Sequence, residues 1–284
     1  MHIAVIADCL RRPLPEALRL ARELGAEGVQ LHADGRAVGP SLDDAARRAL
    51  RRDLAQAGLA LTALCGDFGG RAFATPAEHP ALIARSRATV ELARDLGCAV
   101  VTGHIGVIPA DPAHPRWAAL TAACRAIGAD AARVGVRYGI ETGPEPAAVL
   151  RRFLDACASP GLGVNLDPAN LAMVQGEDAA AAVAALAPWI VHTHAKDGIR
   201  HQPCDVEAVY EAFASGGFAE LERRTGALFE EVPLGRGQVD WPRYIAALRA
   251  AGFTGWLTIE RETGADPAAD IAAAITFLRR QLAA

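Results

Sequence analysis

The sequence predicts a single α/β domain folded as a closed (β/α)8 barrel. Eight short β-rich runs alternate with longer helical stretches from one end of the chain to the other. The runs are almost continuously apolar while the longer stretches are amphipathic, the pattern of a parallel sheet covered by helices. Eight such units fill 284 residues, close to the usual length of about 250 for this architecture. An open doubly wound sheet would want a glycine-rich turn after its first strand, and the chain after Ala7 runs Asp8-Cys9-Leu10-Arg11-Arg12-Pro13 without one.

The strands follow in order. They are His2 to Ala7, Gly28 to His32, Leu59 to Cys65, Ala99 to His104, Arg137 to Thr142, Leu162 to Asp167, Ile190 to Ala195 and Trp256 to Arg261. Between them lie stretches with apolar residues at three- and four-residue spacing. In the first, Leu14, Ala17, Leu18, Ala21 and Leu24 share a face and Gly25 stops the helix. A second, from Leu82, ends the same way at Gly97, and the last runs from about Asp266 to Leu282. The one long interruption is residues 198–240, before the helix that opens near Trp241. A connection of that length on a compact barrel points to an active-site loop such as a lid.

Bulk properties narrow the function. A net charge of −4 favours neither nucleic acid nor an anionic membrane as partner. No run of about 18 apolar residues is present to span a bilayer, and the first residues lack the layout of a signal peptide. The six cysteines are scattered without a CxxC pair, which fits free thiols and a cytoplasmic location.

In a barrel of this kind, chemistry gathers at the C-terminal ends of the strands. Those ends carry His32, His104, Glu141, Asp167, His194 and Glu260. The last four close the fifth to eighth strands consecutively, at spacings of 26, 27 and 66 residues. Neighbouring strands lie about 4.8 Å apart, so these four side chains can converge on one ion. Three carboxylates and an imidazole suit Mn, Mg, Co or Zn. His192 faces the same way as His194, two residues deeper, and reads as a core or supporting histidine. Lys196 is the only lysine among 29 basic residues; a lysine is a compact charge with an adjustable pKa where arginine is a fixed fork. It reads as an anchor for an anionic group or a proton donor, with an ion pair to the adjacent Asp197 as the plain alternative. Trp241 and Trp256 read as core. Phe68 could close an apolar wall, with two glycines behind it to permit a sharp loop.

The strings GIET, GVNLDPAN, HTHAKDG, LGRGQVDW and TIERETG resemble the sugar phosphate isomerase/epimerase family, the xylose isomerase-like TIM barrels. The resemblance spans nearly the whole chain and is densest from Glu141 to Gly264. It implies a divalent metal on Glu141, Asp167, His194 and Glu260, with Glu141 and Glu260 also serving as the acid/base pair. In epimerase members the residue three after the metal-binding Asp is often a substrate-contacting His; here it is Asn170, which can still hydrogen-bond a hydroxyl. Lys196, with Arg236 second, matches a basic residue that commonly contacts substrate, and oligomerisation is a family trait. His32 and His104 are further substrate-binding candidates.

The reaction these residues suit is proton transfer beside a carbonyl through an enediolate, on a ketose or related polyol-ketone. Expulsion of a β-leaving group from the same enediolate would make a dehydratase or lyase of an inosose or 3-keto-sugar. A non-catalytic sugar-binding barrel or partner subunit is the remaining alternative. A DNA-repair phosphodiesterase on this fold would need further His and Asp ligands and a basic groove, which eight histidines and an acidic balance do not provide.

Overall fold

The computed structural model describes residues 1–67 and 73–284. Seven of the barrel strands come first: β1 (His2–Ile6), β2 (Gly28–His32), β3 (Ala60–Cys65), β4 (Val100–Gly103), β5 (Arg137–Glu141), β6 (Leu162–Leu166) and β7 (Ile190–Ala195). A two-stranded antiparallel ribbon, β8 (Asp197–Arg200) with β9 (Phe229–Val232), precedes the last barrel strand, β10 (Trp256–Ile259). The eight parallel strands close in the order β1-β10-β7-β6-β5-β4-β3-β2, which is the predicted barrel. Its strands read as near-continuous apolar runs because both faces are covered; Ala4, Val5, Val29, Leu64, Val101, Val164 and Leu257 have no exposed surface.

The outer layer comprises α1 (Leu14–Leu24), α2 (Asp44–Ala57), α3 (His79–Leu96), α4 (Pro115–Arg133) and α5 (Ala147–Cys157). A single turn, α6 (Pro168–Asn170), follows β6 and runs into a π-helical turn at Leu171–Gln175, ahead of α7 (Ala179–Leu186). Then come α8 (Val206–Ser215), α9 (Phe218–Thr225), α10 (Trp241–Ala250) and α11 (Pro267–Ala283). The expected stops hold: Gly25 and Gly97 both take left-handed conformations that end α1 and α3. At the other end of the chain, Asp266 caps α11 by accepting from the Ala269 N–H.

Residues 198–240 are largely regular rather than an irregular loop. They hold most of the β8–β9 ribbon with α8 and α9 folded between its strands. The connection can afford that structure because it has its own small core of Ala169, Met173, Val174, Val209, Tyr210 and Leu228.

Two ladders slip by one residue, and both slips fall beside a buried polar side chain. Between β2 and β3 the register jumps at Gln30, which makes Thr62 the extra residue; between β6 and β7 it jumps at Asn165, which makes Val191 extra. Bulges of this kind re-aim side chains near functional sites. Each extra residue occupies space left by a neighbouring glycine. A Cβ on Gly28 would lie 2.5 Å from Thr62 Cγ2, and one on Gly163 would lie 2.6 Å from Val191 Cγ1. Among the described residues no helix is long and apolar enough to cross a membrane. All six cysteines are free thiols.

Candidate functional site

Glu141 is the last residue of β5, His194 the penultimate residue of β7, and Asp167 and Glu260 lie one past β6 and β10. Those four strands are consecutive around the barrel, so the wall delivers the four side chains side by side. Each offers one ligand atom, and all four atoms lie within 4.8 Å of one another. His194 Nδ1 is 3.0 Å from Glu260 Oε2, 3.4 Å from Glu141 Oε1 and 3.6 Å from Asp167 Oδ2.

The residues fit a divalent cation. His194 Nδ1, Asp167 Oδ2 and Glu260 Oε2 are all buried without a hydrogen-bond partner. Unpaired buried polar atoms are rare, and three of them facing one point beside three carboxylates call for a positive charge between them. Asp167 is oriented for this role: its Oδ1 accepts from the N–H groups of Ala169 and Asn170 at 2.8 and 2.9 Å, capping the next turn and leaving Oδ2 turned inward. Glu141 is steadied by amides, with Oε2 accepting from Asn165 Nδ2 at 3.1 Å and Oε1 from Asn170 Nδ2 at 3.2 Å. Three oxygens and one imidazole nitrogen make a donor set for Mn, Mg, Co or Zn.

Without a cation the carboxylates act on the imidazole. Burial opposes the charge on His194, but Glu141 and Glu260 outweigh it and drive the group well above its ordinary value. Burial likewise pushes Glu260 up, yet Lys196 and His194 hold it below the usual carboxylate range.

Beneath the cluster lies a polar layer formed by Gln30, Asn165, His192 and Thr258, each fully buried. Gln30 presents both ends of its amide to His194 Nε2, its own Nε2 at 3.2 Å and Oε1 at 3.3 Å, and its Oε1 lies 3.0 Å from His192 Nε2. Thr258 Oγ1 is also 3.0 Å from His192 Nε2. When Nδ1 of His194 is a ligand, Nε2 carries the hydrogen, and Gln30 Oε1 is placed to accept it. Burial, with His194 nearby, lowers the His192 pKa well below normal, so this ring is a neutral support outside the four-ligand cluster. Gln30 and Asn165 are absent from the sequence-based site. Their signal was a single polar residue within an apolar strand, which carries weight only once the strand is known to face the barrel interior.

Lys196 does not pair with Asp197. Its Nζ donates to Glu262 Oε2 at 2.8 Å and lies 3.2 Å from Glu260 Oε2 and 3.8 Å from Glu231 Oε2. Burial disfavours its charge, but these carboxylates raise its pKa well above normal. Asp197 points the other way. It accepts from Gly198 N, Gly235 N, Val239 N and Trp241 Nε1 at 2.9 to 3.2 Å, and so pins the returning 235–241 segment to the start of the ribbon.

These groups open into a cavity of about 790 Å³ lined by His32, His104, Asn170 and Lys196, by the cluster residues Glu141, His194 and Glu260, and by Tyr210, Phe213, Phe218 and Phe229 from the insertion. His104 Nδ1 pairs with Asp67 Oδ2 at 3.1 Å while its Nε2 sits 3.8 Å from Glu141 Oε1. Although burial works against the charge, Glu141 and Asp67 raise the His104 pKa to about 10. Arg236 is not brought into this group: it is exposed on the turn after β9, outside the cavity wall. Trp241 is buried against Tyr244 and Phe277, and Trp256 opens β10 at the far end of the barrel beside His2. Both are packing residues. Phe68 lies outside the described residues.

Fold and cluster together define a (β/α)8 barrel with a metal-site-like group at its C-terminal mouth. The chain belongs to the xylose isomerase-like TIM barrel family, whose model matches residues 18–281. Among solved structures it is similar to a xylose isomerase domain protein from Planctomyces limnophilus, at 25% identity and TM-score 0.76 over 93% of this chain and 90% of that one. It also resembles a probable 3-DHS dehydratase involved in petrobactin synthesis from Bacillus anthracis, at 19% identity and TM-score 0.75 over 98% and 99%. A D-psicose 3-epimerase, whose structure was determined in the presence of D-fructose, matches at 16% identity and TM-score 0.74 over the whole of both chains. At such identities the last two show the shared fold. A comparison with curated proteins gives no significant match.

Proposed function

We propose that the protein is a divalent-metal-dependent isomerase or epimerase that moves a proton beside the carbonyl of an uncharged polyhydroxy ketone. The observation that carries this reading is the convergence of Glu141, Asp167, His194 and Glu260, three of whose ligand atoms are buried without a hydrogen bond. Asp167 and His194 would hold the ion together with the two glutamates. When bound, it supplies Lewis-acid stabilisation of the charge that develops on the substrate oxygen during enolisation.

The protein's own groups do the rest. Glu141 and Glu260 come from β5 and the end of β10, on either side of the β6–β7 pair. They can therefore approach a substrate from two directions, one removing a proton and the other returning one. Their surroundings differ, which divides the acid and base roles. Glu260 has Lys196 at 3.2 Å, whereas Glu141 has no lysine or arginine partner and is held by the amides of Asn165 and Asn170 beside the His194 and His104 rings. Asn170, His104 and His32 present hydrogen-bonding groups to substrate hydroxyls. Lys196 is occupied by three carboxylates and holds Glu260 in place.

An uncharged substrate follows from the wall. Asp34, Asp67, Glu230, Glu231 and Glu262 stand around the metal ligands, and Lys196 is the one lysine or arginine among the described lining residues. A phosphate or carboxylate entering there would find no unengaged lysine or arginine among the described lining residues, since Lys196 is already held by Glu262, Glu260 and Glu231. The His104–Asp67 pair beside Glu141 supports a second reading, elimination of water from the same enediolate, with His104 protonating the departing hydroxyl. A pure sugar binder would have no use for two ligand carboxylates placed as bases.

The test is solvent deuterium exchange into ketoses, inososes and 3-keto-sugars, followed by NMR on protein reconstituted with each metal. Exchange that chelation abolishes, and that Glu141→Gln and Glu260→Gln each reduce by about a hundredfold or more, is expected. Wild-type exchange in both variants would defeat the proposal.

A further inference from the structure

The cavity has two unlike ends. At the metal centre it is lined by carboxylates, imidazoles and two amides, whereas the insertion supplies a wall of rings. Phe213 and Phe218 stack at 4.6 Å with planes 7° apart. Phe229 stands 5.3 Å from Phe218 and 6.3 Å from Phe213. Tyr210 meets Phe213 edge-on at 6.4 Å and lies 5.9 Å from the His104 ring. His104 in turn is 3.8 Å from Glu141, so the wall runs without a break from the metal centre to the mouth.

We propose that this aromatic shelf is a subsite for an apolar substituent. On this inference, which rests on the reading of the site as an enolising centre, the substrate is a keto-sugar or keto-cyclitol carrying a planar, uncharged aglycone. The polyol head reaches Glu141 and Glu260 while the aglycone lies against Phe213 and Phe218.

Three observations support it. A bare ketose is covered with hydroxyls, and phenylalanine rings offer those hydroxyls no hydrogen-bond partner. The cavity, at about 790 Å³, is in the upper part of the range found for drug-sized ligands. Phe213 also does no work in the small core of the insertion. Phe218 and Phe229 pack on that core, but Phe213 lies outside it. With half its surface exposed, it is the one exposed large hydrophobic among the described residues. An apolar face held open in a cavity wall is stabilised when a ligand removes it from water. Glu230, Glu231 and Glu262 on the same wall disfavour an anionic substituent.

The experiment is calorimetric titration of the metal-reconstituted full chain with methyl and phenyl glycosides of one 3-keto-sugar, with deuterium exchange and sedimentation measured in parallel. The phenyl glycoside is expected to bind about tenfold more tightly than the methyl one. Phe213→Ala should cut that ratio to about threefold or less, and Phe213→Tyr should keep it. Phe213 is half exposed and packs on Tyr210, Phe218 and Phe229, but it belongs to neither apolar core, so its truncation leaves both intact. Equal binding of the two glycosides in the wild type, or a ratio that survives both Phe213→Ala and Phe218→Ala, would overturn the inference. A Phe213→Ala change that only dissociates an oligomer would overturn it too, assigning the ring to a second copy of the chain. Exchange without aglycone discrimination refutes the shelf alone. Discrimination without exchange on either glycoside supports the shelf and refutes the enolisation reading.

Discussion

Replacing Gln30 with leucine removes the acceptor that the His194 tautomer requires while keeping the residue's approximate volume. In the native layer Gln30 Oε1 faces His194 Nε2 at 3.3 Å and His192 Nε2 at 3.0 Å, in a region with no solvent exposure. His192 keeps Thr258 as an alternative partner at 3.0 Å. His194 loses its only oxygen contact at Nε2, because the remaining neighbour, Asn165, presents its amide nitrogen at 3.1 Å. One buried imidazole N–H is therefore left unpaired, which costs about 1–3 kcal/mol of stability. Loss of such a supporting acceptor typically weakens metal binding about 10- to 100-fold. Calorimetric titration of chelator-stripped Gln30→Leu with Mn²⁺ or Co²⁺ should show that loss, and thermal unfolding in excess chelator should show the separate stability cost. The Gln30→Glu variant retains an acceptor and should bind metal more tightly than Gln30→Leu. Wild-type metal affinity in Gln30→Leu would refute the argument that this layer orients the ligand.

Three further outcomes follow from the same geometry. His194 in the metal-free protein is held well above its ordinary pKa by Glu141 and Glu260, against the opposing effect of burial, so it is protonated at neutral pH and must lose that proton to ligate. Apparent metal affinity should then rise about tenfold per pH unit below that pKa and level off above it; proton uptake on binding, measured in buffers of different ionisation enthalpy, would contradict this. Lys196→Met leaves buried Glu260 without the lysine 3.2 Å from it, while Glu231 keeps Arg261 at 2.7 Å; it should destabilise the fold by about 3–5 kcal/mol, read by chemical denaturation, with Lys196→Arg recovering part of the loss. Asp197→Ala removes four hydrogen bonds, three of which pin the 235–241 segment. It should cost more than about 3 kcal/mol and speed backbone hydrogen exchange at Gly235 and Val239, while Arg236→Ala on the same turn should leave both unchanged.

The sequence by itself determined the barrel and the four-residue cluster, for one physical reason. Strand period, helix period and glycine stops are local signals, and in a (β/α)8 barrel the chain order of the strands largely dictates their neighbours. Residues at the ends of four successive strands, Glu141, Asp167, His194 and Glu260, must then meet. Everything that depends on contacts between distant segments was decided by the tertiary structure. The partner of Lys196 is Glu262, 66 residues away, instead of the adjacent Asp197, because a strand sends successive side chains to opposite faces. Gln30 reaches His194 across the barrel interior, helped by a register slip that no periodicity encodes. Residues 198–240 fold into a ribbon and two helices with their own apolar core, since that core exists only where Met173 and Val174 meet Val209 and Leu228. Arg236, in a string that resembles its family, is left in solvent, because three bonds to Asp197 from Gly235, Val239 and Trp241 fix the path of its turn.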